Sequence, residues 1–398
     1  MKKSLFALAA VGAFAGAAQA QSSVTVYGNL DIGATQVTNS TKAVGGTDTK
    51  YNTRTTGNGD GALSTSVIGF RGTEDLGKGM RATFRLEYDL VDVGTGGNGN
   101  TNQTTTAGAA DTTIAQNQTS TGVWNGFGAR YSFVGLEGGF GTVRLGRQEN
   151  TVHSVMTNGL AGGANNSIGS MYSEGSNGAS ENRSQVRPYG VFVNRAITYI
   201  APTVSGFTVE AQTANQSISS ETTAVTAANT SVSVTSGSVK FTGIKNLSVA
   251  YGMTMYDLNT ASTSSTTADT KRRAQIATAQ YNFGPVVGFL AAAENKINTA
   301  AGALTSKDTM YEFGLRAPIS PVISAWASGY TGSRASDTAT SRADLSGYQL
   351  GLTYAFSKRT SAYGIFGTQS IKATEVSAAS STSKVESTGM AVGIRHTF

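Results

Sequence analysis

Large apolar residues occupy every second position in many stretches of this chain. The clearest runs are MRATFRLEYDL at 80–90, LSVAYGMTMY at 247–256 and YQLGLTYAF at 348–356. The residues between the apolar ones are small, polar or charged. A period of two is typical of a β-strand with one apolar and one polar face. Because the polar faces carry charges, we expect them to contact water.

Sixteen segments of the chain follow this alternation. They lie near 23–35, 62–73, 79–91, 123–137, 141–148, 191–201, 206–216, 231–243, 246–257, 271–283, 285–297, 308–318, 321–331, 342–356, 359–371 and 386–398. Short connectors such as GGFG and GIKN alternate with long ones rich in Gly, Ser, Thr and Asn. The long connectors lie at 36–61, 92–122, 149–190, 217–230, 258–270, 298–307, 332–341 and 372–385. This arrangement predicts an up-and-down meander within one domain.

The composition favours a membrane barrel. Hydrophobic residues make up 39% of the chain and charged residues 14%, below the roughly 45–50% and about 25% of soluble domains. An even number of strands, each about ten residues long and apolar on one face, is typical of outer-membrane barrels. The sequence predicts an all-β fold, a 16-stranded antiparallel transmembrane β-barrel. We expect short periplasmic turns, long extracellular loops and an inward-folded third loop.

Two other folds also use alternating strands. A soluble β-sandwich would pack its apolar faces together and protect its edge strands. A secreted β-solenoid would show a short fixed repeat, and the sequence shows none. The sandwich and the solenoid are the alternatives to the barrel.

The first twenty residues predict export. MKKSLFALAAVGAFAGAAQA has two lysines, an apolar stretch from Leu5 to about Ala18, and then Ala-Gln-Ala. This is the plan of a cleaved signal peptide over 1–20, which leaves 21–398 as a single barrel domain. The alternative is a membrane anchor, but the apolar run is shorter than the roughly 20 residues that span a bilayer.

Charge and cysteine content exclude several kinds of site. The chain carries a formal net charge of +6, and removing the two lysines of the signal peptide lowers it to +4. Such a mild excess does not indicate a nucleic-acid-binding protein. With no cysteine in the chain, neither a disulfide framework nor a thiolate metal site is possible. We expect no metal and no cofactor.

The polar strand faces would line the lumen, and a barrel of sixteen strands is wide enough to hold an aqueous channel. By parity, the cations on this face are Arg71, Arg81, Arg85, Arg130, Arg144, Arg316, Arg395 and Lys240. The acids on it include Glu87 and Asp89. Guanidinium groups clustered on the first five strands would concentrate anions and impede cations. For any single arginine the alternative is a solvated residue or a wall salt bridge, such as Arg85 with Glu87.

The longest connector, at 149–190, follows the fifth predicted strand. Loops of this length are usually functional or disordered. We expect this third loop to fold inward and narrow the pore opposite the arginines, the alternative being exposure at the surface. Its acids are Glu149, Glu174 and Glu181.

Several stretches of the mature chain, in order, resemble the general porins of Gram-negative β-proteobacteria, the Burkholderia, Bordetella and Neisseria type. They are SSVTVYGNLDIG, IGFRGTEDLGKGMRATFRLE, YSFVGLEGGFGTVRLGRQ, AITYIAPTVSGF, FSKRTSAYGIF and VGIRHTF. The resemblance implies a homotrimer of 16-stranded barrels in the outer membrane, surrounded by lipid and lipopolysaccharide. It also implies passive diffusion of small hydrophilic solutes, with a mild preference for anions.

Individual residues carry over from the resemblance by position. Arg130 and Glu87 match channel-wall residues of that family. Two positions depart from it, because Val67 and Phe192 stand where arginines are common in the family. The resemblance therefore implies a channel less basic than its relatives.

The final residues, GMAVGIRHTF, alternate up to Phe398. We expect this segment to close the barrel against the first strand. The terminal aromatic residue resembles the recognition signal by which outer-membrane barrels are selected for insertion.

Two rival functions use the same fold. An outer-membrane hydrolase needs a histidine-centred constellation, and no motif places a Ser/Asp pair around either His153 or His396. A surface adhesin would use the long loops to contact a partner, and it remains the alternative to a porin.

Overall fold

Antiparallel strands make up nearly all of the described chain. The computed structural model describes residues 23–43, 48–58, 62–90, 127–162, 169–171, 191–219, 228–262, 270–299, 302–336, 341–375 and 382–398. The strands are β1 (Ser23–Ala43), β2 (Thr49–Asn58), β3 (Val67–Gly77), β4 (Met80–Leu90), β5 (Phe127–Gly138), β6 (Gly141–Glu149), β7 (Phe192–Ile200), β8 (Phe207–Ser219), β9 (Ala228–Phe241), β10 (Leu247–Ser262), β11 (Thr270–Asn282), β12 (Val287–Thr299), β13 (Leu304–Pro318), β14 (Ile323–Ser336), β15 (Ser341–Ala355), β16 (Thr360–Glu375) and β17 (Thr382–Thr397). A helix, α1 (Thr151–Asn158), follows β6.

The strands form one sheet that closes on itself. Each strand from β3 to β17 pairs antiparallel with the next, and β17 pairs with β1. Beyond the last paired strand residues, Phe398 and Gly28 exchange two backbone hydrogen bonds of 3.1 Å. Closure satisfies the backbone groups that lipid cannot. The predicted closing strand and the barrel are confirmed.

Seventeen strands occupy sixteen positions in the wall. β2 pairs with β1 from Thr41↔Thr49 to Gly33↔Asn58, and β3 pairs with β1 from Asn29↔Val67 onward. β2 and β3 therefore lie end to end at a single position beside β1. The barrel of sixteen is confirmed, but two boundaries are wrong. The predicted loop 36–61 contains the end of β1 and all of β2, and the next wall strand begins at Val67 and not at 62.

A buried carboxylate explains the break between β2 and β3. Asp31 is fully buried, and its side chain accepts hydrogen bonds from the Ser64 N–H at 2.6 Å and the Tyr363 hydroxyl at 2.7 Å. The Ser66 hydroxyl accepts from the Asp31 N–H at 2.9 Å and donates to the Asp31 carbonyl at 3.1 Å. These contacts hold residues 62–66 against the inner wall, where they cannot continue the ladder.

Other strands are also longer than predicted. β12 and β13 extend into the predicted loop 298–307, and β14 and β15 into 332–341. The Thr-rich and Ser-rich ends of these strands were assigned to loops by composition. Threonine nevertheless favours β-strands. Each strand end also pairs with the adjacent strand, and composition alone does not reveal this pairing.

The outer face of the barrel is apolar, as the alternation predicts. Exposed apolar residues point outward from strands all round the wall. Examples are Val134, Leu145, Ile197, Val209, Leu290, Phe313, Leu350 and Val392. Such a face suits a lipid environment, in which the wall needs no second layer of protein against it. Among the described residues, no helix is long and apolar enough to cross a bilayer.

The described start of the third loop lies inside the barrel. The Asn150 side chain caps α1 by accepting from the Val152 N–H at 2.9 Å. Val155 and Met156 of α1 are buried in a cluster with lumen-facing Ile276 and Met310. This wall lies across the barrel from β4, because β4 holds the third of sixteen positions and β12 the eleventh.

Two further contacts fix the loop to the inner wall. The Arg316 guanidinium donates to the carbonyls of Leu160 at 2.9 Å and Ala161 at 2.5 Å. The Ser170 hydroxyl donates to the Glu312 carboxylate at 2.8 Å. The rest of the loop, with Glu174 and Glu181, lies outside the described residues, as does the predicted signal peptide. The position of these two loop acids and the signal peptide therefore remain predictions.

We expect Gly351→Ala to destabilise the barrel. A Cβ at Gly351 would lie 1.9 Å from the Trp326 indole, which donates to Gln349 at 3.0 Å. Displacing a packed side chain costs about 1–3 kcal/mol, so the folded band on a gel should convert to the unfolded band at a lower temperature. Gly364→Ala is the control, because its Cβ meets nothing within 4 Å. Equal transition temperatures for the two variants would contradict this packing.

Candidate channel lining

Two arginines face each other across β3 and β4. Arg71 stands directly opposite Arg85, and their guanidinium carbons lie 5.1 and 5.7 Å from the centre of the Tyr27 ring. Arg85 also lies 3.6 Å from the centre of the Tyr131 ring. Like charges directly opposite in a sheet repel, and aromatic faces attract cations. The attraction of the two rings therefore offsets part of the repulsion between Arg71 and Arg85 on the lumen face.

Glu87 is the acceptor at the centre of this face. It is 3% exposed and accepts hydrogen bonds from Arg85 at 2.6 Å, Arg130 at 2.9 Å and the Tyr27 hydroxyl at 2.7 Å. Arg130 also bonds Asp89 at 2.9 Å. One buried carboxylate thus orients two guanidinium groups.

The side chain of Arg130 lies in the lumen, although the alternation of β5 would place it on the outer face. Val134 and Leu136 share its parity on β5, and both are exposed on the outer face. The pairing between β4 and β5 shifts after Glu87. Arg130 is therefore the extra residue of a β-bulge and has no residue opposite it on β4. A bulge redirects the side chain. The parity argument for Arg130 is therefore wrong, although its side chain does lie among the lumen residues.

Arg81 and Arg144 extend the basic face toward the short turns. Arg81 forms a 3.2 Å ion pair with Glu137, beside the turn that begins β4. The Arg144 guanidinium lies 5.0 Å from the centre of the Phe133 ring. Both side chains are on the polar face predicted by parity, next to the Arg71–Arg85 pair.

The remaining predicted cations lie apart from this cluster. Arg316 is held by the third loop, across the barrel. Arg395 on β17 donates to Asn29 at 2.9 Å. Lys240 is exposed near the short-turn end of β9. The structure therefore brings Arg71, Arg81, Arg85, Arg130 and Arg144 together and leaves these three outside.

Arg147 belongs to the basic face and was missed. Its parity with Leu145 indicates an outward position, but a register shift after Gly146 turns it inward. Its guanidinium donates to Asn194 and lies 5.1 Å from the centre of the Phe192 ring. Arg130 lies 4.9 Å from the same ring. Phe192, the departure from the family pattern, thus provides an aromatic face for two arginines.

Glu149 is a wall residue and not a loop acid. It is the last residue of β6, and it accepts hydrogen bonds from the Tyr131 hydroxyl and bonds His153 Nδ1. Its assignment to the third loop is therefore wrong, since the strand extends to include it. His396 bonds the Thr360 hydroxyl at 2.9 Å. In the described part of the chain, no group of three His, Asp or Glu side chains is placed to hold a metal ion.

Two cations of this face, Arg81 and Arg85, are more exposed than the acids with which they pair. The Arg81 side chain is 60% exposed and that of Glu137 24%. The Arg85 side chain is 34% exposed and that of Glu87 5%. On α1, the exposed residues are Ser154 and Thr157, which carry no charge. At these two pairs, water in the lumen therefore contacts the guanidinium group more than the carboxylate, whereas Arg130 is 18% exposed and its partner Asp89 23%.

A closed barrel with an apolar outer face and clustered arginines on its inner face defines a transmembrane β-barrel. The sequence profile described as "Gram-negative porin" matches residues 7–374, and the chain belongs to this family. Outer membrane porin protein 32 of Delftia acidovorans is 35% identical over 214 residues, 52% of this chain and 48% of the relative. An outer membrane porin protein of Bordetella pertussis is 45% identical over 107 residues, 26% of this chain and 27% of the relative.

A solved structure shows the same fold over most of the chain. A structure described as an anion-selective porin from Comamonas acidovorans superposes with a TM-score of 0.62 at 24% identity, covering 95% of this chain and 100% of that one. The sequence alignments are shorter, and the chain spans about half and about a quarter of the two relatives. The protein is thus an outer-membrane β-barrel of a Gram-negative bacterium. The comparisons point to porins, which are channels and not enzymes.

We expect Glu87→Gln to shift the ion selectivity of conductance through the barrel toward anions. The change removes the carboxylate charge that Arg85 and Arg130 share and leaves both guanidinium groups in place. The reversal potential in a KCl gradient should move toward the chloride potential. Glu137→Gln is the matched control, which should give a smaller shift because its carboxylate is more exposed and pairs only with Arg81. A shift toward potassium would contradict the assigned geometry.

Proposed function

We propose that this protein is a general diffusion porin. It lets small hydrophilic solutes and ions pass through a water-filled channel, with a mild preference for anions. The single observation that carries this proposal is the exposure of Arg81 and Arg85 to the lumen, above acids that are less exposed. Family membership supports the transport class, and the basic face supports the sign of the preference.

The third loop determines where the solute passes. α1 and residues 159–162 lie against β8 to β14, so part of the lumen on that side is filled. The path that remains runs along β3 to β6, past the arginines. A charged wall in a narrow passage concentrates ions of the opposite sign. In this proposal the pore-lining set is Arg71, Arg81, Arg85, Glu87, Arg130 and Arg144.

Neighbouring acids limit the preference. Glu87, Asp89 and Glu137 each pair with an arginine of the cluster, so much of its charge is neutralised locally. Val67 and Phe192 add no charge where the family often has arginine. We infer a preference that biases ion flow without excluding cations. Glu174 and Glu181 of the third loop would lower it further if they face the lumen, whereas Glu149 is already bonded to His153.

The protein would work as a homotrimer embedded in lipid. A solved outer membrane protein of Vibrio cholerae, described as a trimer form, shares the fold with a TM-score of 0.56 at 14% identity. The exposed apolar residues of the outer wall suit both neighbouring subunits and acyl chains. Outer-membrane lipid and lipopolysaccharide are the partners this surface would contact.

Planar-bilayer recordings test the proposal. Purified, folded protein should open in steps of three, with a reversal potential in a KCl gradient that shows mild anion preference. Folded, heat-modifiable protein without conductance would overturn the porin assignment.

We expect the double variant Arg71→Gln, Arg85→Gln to shift the reversal potential toward potassium. It removes the two guanidinium groups that stand opposite each other on the lumen face. The matched control is Arg273→Gln with Arg359→Gln, since one lies on the outer face of β11 and the other in an exposed short turn. An unchanged potential in the first variant would remove both arginines from the selective part of the pore.

We also propose that Phe398 serves as an assembly signal. Its backbone bonds Gly28, and its ring lies where a Cβ at Gly28 would be, 2.2 Å from the nearest ring carbon. Deleting Phe398 should sharply lower the yield of heat-modifiable barrel in the outer membrane, while Phe398→Tyr should retain it. Wild-type yield from the deletion would show that the residue is not required for assembly.

A further inference from the structure

Three cations lie side by side on the outer face of the barrel. Arg273 on β11 stands directly opposite Lys296 on β12, and Lys296 directly opposite Lys307 on β13. Lys271 lies one row nearer the loops, opposite Asp257. We name Arg273, Lys296 and Lys307 the cation row. Like charges directly opposite in a sheet destabilise it, so this arrangement needs an explanation.

The neighbouring acids only partly neutralise the cation row. Lys307 forms a 2.9 Å ion pair with Glu294 in the adjoining row. Arg273 bonds the neutral amide of Gln275 at 3.2 Å. Lys296 makes no ion pair with any residue that the structure describes. The row therefore carries an excess of positive charge at the side facing the membrane.

The cation row lies at the upper edge of the apolar band. Each member of the row lies about three residues from the loop end of its strand, which is the end away from the short turns. From Arg273 to Tyr281, near the short-turn end of β11, eight residues span about 27 Å along the strand. Tilted by about 35–45°, this length rises about 19–22 Å, slightly less than the apolar band, which is about 25 Å tall. The row is thus placed close to the upper edge of the band, where long Lys and Arg side chains extend to the lipid head groups of the outer leaflet.

An apolar groove opens farther toward the short turns, beyond the intervening outer-face row of Gln275, Glu294 and Thr309. Its volume is about 620 Å³. Its floor has small side chains, among them Ala277, Ala279 and Ala292, and larger ones stand around them, including Leu290, Tyr311 and Phe313. Ala277 lies four residues from Arg273, about 13 Å along the same strand. A long flexible acyl chain can fill such a groove below a charged head group.

We propose that the cation row and this groove form a binding site for a phosphorylated glycolipid of the outer leaflet, of the lipopolysaccharide type. The phosphates would bind the three cations and relieve their mutual repulsion, and one acyl chain would occupy the groove. Each cation near an anionic lipid surface contributes about 1 kcal/mol. The inference rests on the outer-membrane assignment, and it places the lipid partner on β11 to β13.

A phosphorylated glycolipid fits this site better than the other possible occupants. A second copy of the chain would bring an apolar outer face against the cations and leave them unpaired. An ordinary anionic phospholipid carries one phosphate for three cations, whereas a glycolipid of this type carries several phosphates and several acyl chains on one molecule. Charge complementarity with the three cations therefore favours the phosphorylated glycolipid.

Binding of purified lipopolysaccharide to folded, lipid-stripped protein tests the site. The triple variant Arg273→Gln, Lys296→Gln, Lys307→Gln should bind roughly 100-fold more weakly, as about 1 kcal/mol for each cation implies. A matched control removes three exposed cations of the short turns, Lys245→Gln, Lys358→Gln and Arg359→Gln, and should bind as the wild type does. Equal affinities of the triple variant and the wild type would overturn the proposal, and so would equal losses in both triple variants.

Two further arms separate head group from acyl chain. Dephosphorylated lipopolysaccharide should bind the wild type as weakly as the intact lipid binds the triple variant. Ala292→Phe, which fills the groove and keeps the cation row, should weaken binding several-fold. If phosphatidylglycerol binds as tightly as lipopolysaccharide and loses as much in the triple variant, the site is one for any anionic lipid and the glycolipid assignment is wrong.

Conductance is measured on the same preparations. The triple variant should conduct as the wild type does, because its substitutions are on the outer wall. Loss of lipid binding with normal conductance supports the site. Absence of conductance in the wild type would overturn the porin function and leave the lipid result to be judged on its own.

Discussion

The structure depends on one constraint, which is that lipid offers no partner for a backbone N–H or C=O group. Every strand that faces the membrane must therefore find two neighbours, and β1 finds its second in β17. The bonds between Gly28 and Phe398 carry this closure to the final residue. Because most of the outer face is apolar, the buried polar network and the third loop lie on the inner face.

The inner face is organised by carboxylates that have left bulk water. Asp31 draws residues 62–66 inward and so divides one wall position into β2 and β3. Glu87 orients Arg85 and Arg130, and Glu312 holds Ser170 of the third loop. A buried carboxylate is costly unless it is bonded, and each of these three is. Their partners thereby fix the shape of the lumen.

Period-two alternation was enough to predict the barrel, its sixteen positions and the closing strand. It could not predict features that interrupt the period. Bulges beside Arg130 and Arg147 reverse the face of the side chain without any change in composition. The inward segment 62–66 depends on Asp31 and Tyr363, which are distant in sequence. The helix α1 was missed because an amphipathic helix of eight residues, about two turns, gives little signal within a polar loop.

Because the lumen cations are exposed to water, their attraction for anions depends on the salt concentration around the protein. Arg81 is largely in contact with channel water, so mobile counter-ions can reach it. The Debye length falls from about 30 Å at 0.01 M salt to about 8 Å at 0.15 M. The same wall would therefore attract solutes from far across the lumen in fresh water and only by near contact in saline fluid. Salinity, and not sequence alone, would then set how selective this protein is.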